Sequence, residues 1–198
     1  MQRLATDERH AQLLAGARGL FAVHAFDELS TAEIARHLGV SKGLLFHYFG
    51  TKRGLYVATV QAAVDELIAV TEPDPSKPLP MQLLESMSAY LEWARANQSE
   101  QTQILMGGIG VDDEVAAILH RPRALTHQRV LRALGMTEAS PPLELAIAGW
   151  IGFVEGVGRT WAPRHDIPRD VPLMQIVMSL QTALRTAGVD EAVLALLD

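Results

Sequence analysis

The chain has 198 residues, 48% of them hydrophobic and 20% charged, enough to bury a sizeable core in one or two domains and too apolar for disorder. It holds no cysteine, which excludes disulfides, thiolate metal sites and a cysteine redox sensor; no apolar run approaches the length of a membrane span, and the first residues lack the apolar region of a signal peptide, so a cytoplasmic protein is expected. The net charge of -6 is uneven, residues 1–56 carrying seven Lys and Arg against five Asp and Glu and the remainder ten against eighteen, so the positive share sits near the start and an acidic body would repel a polyanion from the wrong face.

Taken in chain order, Leu13, Leu14, Ala17, Leu20, Phe21 and His24 recur at helical spacing and predict a first helix of roughly four or five turns, with His24 as a hydrogen-bonded core residue on its apolar face. Ser30 to Phe49 then reads STAEIARHLGVSKGLLFHYF, two short helices around a glycine turn. Ser30 with Glu33 fits a capping box, so a helix begins at about Thr31. Ile34, Ala35 and Leu38 keep core spacing, and Gly39 can take the left-handed conformation that ends the helix. Ser41 caps a second helix whose Leu45 and Phe49 lie four apart on one face, leaving Lys42, Gly43, Phe46 and His47 on the other. A cation, a residue without a side chain and two aromatic groups suit close approach to a groove, and Lys42, Tyr48 and Lys52 are spaced to reach phosphates along one line.

Two short helices around a glycine also occur in proteins that never touch nucleic acid. The block from Leu29 to Tyr56, LSTAEIARHLGVSKGLLFHYFGTKRGLY, narrows the choice. It resembles the N-terminal motif of the TetR family of bacterial transcriptional regulators almost position for position, including the HYF triplet and the lysine after the second helix. The resemblance implies an all-α fold: a three-helix helix-turn-helix DNA-binding domain at residues 1–50, a connecting helix at 51–72, and a helical ligand-binding and dimerisation domain at 73–198. It also implies a homodimer on double-stranded DNA with a palindromic operator, released by a small-molecule effector, with no cofactor and no membrane. Thr31, Tyr48 and Lys52 are then expected on phosphates, Ser41 at the cap, and Lys42, Gly43, Leu44, Phe46 and His47 near bases. Lys42 suits guanine N7 and O6, and Leu44 and Phe46 suit thymine methyls.

Thr51 predicts the cap of a fourth helix carrying Tyr56, Val60, Ala63, Leu67 and Val70, which stops before the loop Pro73 to Pro78. In a protein of the TetR kind, a shift of this helix would alter the separation of two reading heads. A fifth helix carries Leu83, Tyr90 and Trp93 on one stripe and Leu84, Met87, Leu91 and Ala94 on the next. Ile104, Leu105 and Met106 run into Gly107, Gly108, Ile109 and Gly110, a turn without the lysine or strand of a phosphate loop. Val115, Ile118 and Leu119 open another helix, where Pro122 predicts a kink or break before Leu125, Leu131 and Leu134.

From about Leu143 to Trp161, Ala146, Gly149, Gly152 and Gly156 alternate with Ile147, Trp150, Ile151, Val154 and Val157. Each internal glycine costs about 1 kcal/mol against alanine, so close helix approach in the core or across a subunit boundary is expected in compensation. A last helix from Leu173 to Ala187 carries Ile176, Val177, Leu180 and Leu184. Family resemblance pairs these last two long helices with their copies in a second chain.

For an apolar or aromatic effector, Met87, Tyr90, Trp93, Met106, Trp150, Phe153 and Met178 are the candidate lining residues, each of which equally suits a core. His120 and His127 are separated by Pro122 and lack a third ligand, so no metal site is expected. No nucleophile elbow or metal-spaced histidine pair anchors an enzyme. The alternative reading is a helical ligand-binding or nucleoid-associated protein that holds DNA without operator specificity.

Overall fold

In a computed structural model that describes residues 2–98 and 113–195, every described secondary-structure element is helical. In chain order these are α1 (Gln2–Phe21), a 3-10 turn (Phe26–Glu28), α2 (Thr31–His37), α3 (Lys42–Phe49), α4 (Lys52–Val70), α5 (Leu79–Ala96), α6 (Asp113–Ala133), α7 (Pro141–Trp161), α8 (Asp170–Thr186) and the short α9 (Glu191–Leu194). The chain divides into two compact units, one built from the described parts of Met1–Glu66 and Ser99–Leu119 and the other from those of Leu67–Gln98 and His120–Asp198. The turn expected around Gly107 lies outside the described residues.

In the first unit, Leu13, Ala17, Leu20 and Phe21 of α1 are buried together with Ile34 and Ala35 of α2, Leu45 of α3, and Leu55, Tyr56, Val60 and Val64 of α4. An aromatic trio fixes its centre: the Phe21 and Phe26 rings lie 5.1 and 5.2 Å from that of Tyr56, both edge-on, the arrangement that ring quadrupoles favour. His24 is not the core residue expected. α1 stops at Phe21, and the chain turns toward the 3-10 segment, leaving His24 exposed beyond the helix. The expected α4 stripe holds at Tyr56, Val60 and Ala63, is widened by neighbours, and is lost at its end, where Leu67 is half-buried. Leu55, Thr59 and Val64 are buried, whereas Val70 on the last turn is exposed.

In the second unit, α7 and α8 form the most extensive helix pair and α5 packs on both. Their core includes Met87, Leu91, Ile147, Trp150, Ile176, Leu180 and Leu184. The Trp150 indole N–H donates to the Ile176 carbonyl at 3.0 Å, tying α7 to α8. The loop from Pro73 to Pro78 lies where the prolines predict it, with Pro78 immediately before α5. Of the kink or break expected at Pro122, the break is absent: α6 runs through it, because a proline removes a single amide and the bonds on both sides suffice to carry the helix on.

The glycines of α7 divide into two kinds. A methyl group on Gly158 would sit on the Tyr90 ring and hydroxyl, so this glycine permits close approach of α5. A Cβ added at Gly149, Gly152 or Gly156 would meet nothing within 4 Å among the described residues, so no close helix approach there compensates them.

Candidate nucleic-acid interface and cavity

The predicted recognition unit is assembled by local bonds. Ser30 accepts from the Glu33 amide at 3.2 Å while the Glu33 carboxylate accepts from the Ser30 amide at 2.8 Å, so the capping box starts α2 where the sequence places it. Those bonds hold the Glu33 carboxyl below its ordinary value. Gly39, at φ 65°, turns the chain out of α2 in a conformation that side chains disfavour. The Ser41 hydroxyl oxygen accepts from the Leu44 amide at 3.1 Å and starts α3. The Thr51 hydroxyl oxygen accepts from the Gly54 amide at 2.9 Å at the start of α4.

With Leu45 buried and Phe49 half-buried as anchors, α3 turns Lys42, Gly43, Phe46 and His47 to the surface, while Leu44 and Tyr48 are half-buried beside them. Thr31 is half-buried at the first position of α2. Arg18 pairs with Glu66 and Arg53 with Glu114, so two of the unit's cations have acidic partners; Lys42 has none among the described residues.

The Lys52 ammonium is engaged within the unit. It donates to the Leu29 carbonyl at 2.7 Å and lies 4.0 Å from the centre of the Phe26 ring, so it holds the segment that delivers Ser30 to its cap. His10, absent from the sequence-derived set, lies 5.0 Å from Phe49 and 6.0 Å from Tyr48 between ring centres, with His47 on Tyr48 at 5.4 Å. The signal for it was present: His10 precedes Leu13 by three residues and Ala17 by seven, on the buried stripe of α1.

The second unit holds a cavity of about 170 Å³ among α5, α6, α7 and α8 and the last turn of α4. Of the expected lining residues, Met87, Tyr90 and Trp150 line it. Trp93 is buried elsewhere in the core, and Phe153 and Met178 are 42% and 59% exposed on outward faces, so these three do not. Met106 lies outside the described residues. Apolar groups dominate the wall, with Leu83, Leu125, Val130 and Val154 among them; the polar lining includes Ser86, Tyr90, Thr126, Arg129 and the Arg123–Glu155 pair.

Arg129 also clamps the end of α4. One nitrogen donates to the Thr71 carbonyl at 3.1 Å and another pairs with Glu72. Cations at a helix C-terminus are favoured by its exposed carbonyls.

Two family models match the chain: "Bacterial regulatory proteins, tetR family" over residues 13–59, and "Tetracyclin repressor-like, C-terminal domain" over residues 79–184. The chain belongs to the TetR family. A solved TetR-family regulator from Streptomyces coelicolor is 30% identical, with 96% of this chain and 87% of that one covered at a TM-score of 0.81. A TetR-like regulator from Rhodococcus sp. RHA1 superposes at a TM-score of 0.72 with 21% identity over 89% of this chain and 96% of that one, a likeness of fold. Among curated relatives, the transcriptional activator FasR of Mycolicibacterium smegmatis is 40% identical over 67 residues, 34% of this chain and 31% of its own. The regulator BetI 2 of Chromohalobacter salexigens is 48% identical over 48 residues, 22% of this chain and 23% of its own. The chain thus spans about a third or less of the curated relatives it matches. The TetR N-terminal match spans α2 and α3, and its C-terminal match spans the described cavity-lining residues from Leu79 to Leu184. Among the described residues, no helix is long and apolar enough to cross a membrane.

Proposed function

We propose that this chain is a DNA-binding transcriptional regulator that acts as a dimer, represses from a palindromic operator and is released by a small molecule held in the second unit. The observation that carries the reading is the outward face of α3. A helix capped by Ser41 and anchored by Leu45 projects Lys42, Gly43, Phe46 and His47, none of which the fold needs inside. Lys42 supplies the base-reading donor, Phe46 and Leu44 supply apolar contact with thymine methyls, and Thr31 and Tyr48 bind phosphates. Lys52 acts on DNA through the loop it holds.

Dimerisation is supported by the outer faces of α7 and α8. Leu145, Phe153, Met174 and Met178 are 76%, 42%, 49% and 59% exposed, and Gly149, Gly152 and Gly156 give α7 a smooth stripe where an added Cβ would meet nothing within 4 Å among the described residues. A copy of the same face would cover both, offsetting the glycine cost and burying large apolar side chains.

Release follows from the clamp at the end of α4. Thr71 and Arg129 both line the cavity, so an occupant touches the bond that holds the last turn of α4. Two reading heads must sit roughly 34–36 Å apart, or a multiple, to dock together, and a shift of α4 by a few ångströms removes that match. The test is equilibration of the purified protein with random duplexes and sequencing of the bound pool. An inverted repeat with half-sites about one turn apart is expected; a pool without enrichment, bound with steep salt dependence, identifies a sequence-blind DNA-binding protein instead.

A further inference from the structure

The wall of the cavity narrows what it can hold. At about 170 Å³ it is close to the roughly 150 Å³ of an engineered apolar cavity that takes up benzene. One six-membered ring with a small substituent matches that volume.

Every charge on the wall already has an opposite. Arg123 and Glu155 face each other in two parallel bonds of 2.7 and 2.8 Å, and Arg129 is shared between Thr71 and Glu72. A carboxylate or ammonium ligand competes with these pairs for its partner, whereas an uncharged one need not. The hydroxyls differ. Ser86, Tyr90 and Thr126 line the cavity and make no hydrogen bond among the described residues, and Ser86 and Tyr90, four apart on α5, share a face. Burial, and secondarily the nearby Glu155 carboxylate, push the Tyr90 phenol well above its ordinary value, so it remains a proton donor across the physiological range.

We propose that the cavity takes an uncharged monocyclic aromatic compound bearing one hydroxyl or carbonyl, its ring against Met87, Trp150 and Val154 and its oxygen on the Tyr90 hydroxyl. The Trp150 N–H is committed to Ile176, so the indole offers a ligand apolar contact rather than a donor, and the Met87 thioether favours an aromatic edge. This assignment rests on the cavity being the effector site.

Titration calorimetry of the full chain with 4-methylphenol, toluene and 4-methylbenzoate tests it. The phenol is expected to bind about tenfold more tightly than toluene, and the benzoate more weakly than the phenol. Tyr90→Phe should bring the phenol to the toluene affinity without changing toluene binding, and Leu83→Trp, which fills the cavity, should abolish both. Preferred binding of the benzoate, no binding of any of the three, or phenol binding indifferent to both variants overturns the proposal. DNA release is read separately by fluorescence anisotropy on a selected duplex. Phenol binding in the cavity with DNA still held sinks the release reading and leaves the ligand class standing; release by the benzoate alone does the reverse.

Discussion

Replacing Lys52 with methionine keeps the aliphatic stem and removes the ammonium, and with it the 2.7 Å bond to the Leu29 carbonyl and the contact with the Phe26 ring at 4.0 Å. A hydrogen bond from a charged donor contributes about 1.5–3 kcal/mol, and a cation over an aromatic ring adds about 0.5–1 kcal/mol. Both arise from one half-buried ammonium and act on one loop, so they do not add in full, and a loss of about 2 kcal/mol is expected. The loss falls on the segment that sets Ser30 at the head of α2. Amides of α2 should therefore exchange with solvent about thirtyfold faster. Hydrogen exchange reads that segment directly and requires no all-or-none unfolding of the two units. Unchanged protection, together with uniformly weaker DNA binding and a shallower salt slope, would refute the reasoning and make Lys52 a phosphate ligand.

Further outcomes follow from the caps and helix faces. Because the Glu33 carboxyl is held below its ordinary value of 4.5 by its bonds with Ser30, its stabilisation is present in full above that value and is lost as pH falls through the lowered one. Protection of α2 should decline on that acid side, and Glu33→Gln should flatten the decline; an identical acid profile in the variant contradicts the assignment. Phe153→Glu combined with Met178→Glu should convert a dimer into folded monomers by sedimentation, whereas an unchanged mass would show that the outer faces of α7 and α8 are not the interface. The Cβ of Gly152→Ala meets no atom within 4 Å among the described residues, so it should raise helix stability by up to about 1 kcal/mol while weakening the dimer. Gly158→Ala places a methyl group on Tyr90 and should destabilise by about 1–3 kcal/mol in thermal unfolding. Equal effects of the two alanines would contradict the distinction between them.

Features set by a few neighbouring residues were legible in the sequence. The caps at Ser30, Ser41 and Thr51 each depend on a partner three residues away, and each is made as read. The bond from Lys52 to Leu29 spans 23 residues and depends on how α4 packs, which no local pattern encodes. His24 shows the same limit, since helical spacing continued past the point where α1 ends. The outward placement of Phe153 was legible in principle. Ile147, Trp150, Ile151 and Val154 define the buried stripe of α7, while Gly149, Gly152, Phe153 and Gly156 keep the same spacing on another face. On α8, Val171, Met174 and Met178 likewise lie apart from the buried Ile176, Leu180 and Leu184. Apolar character alone had grouped Phe153 and Met178 with Trp150, and periodicity taken by face separates them. The cavity was not legible, because a void is a property of three or more helices together.

The central claim is that the outer face of α3 reads base pairs. The measurement that tests it most directly is the affinity of the wild-type chain and of Lys42→Ala for a panel of selected duplexes carrying each single base-pair change. The expected result is a flattened preference at one base pair of each half-site, with the wild-type cost there about 1–3 kcal/mol and the other positions unchanged. An equal loss on every duplex, random sequences included, would reduce Lys42 to a phosphate contact and contradict base readout through this helix.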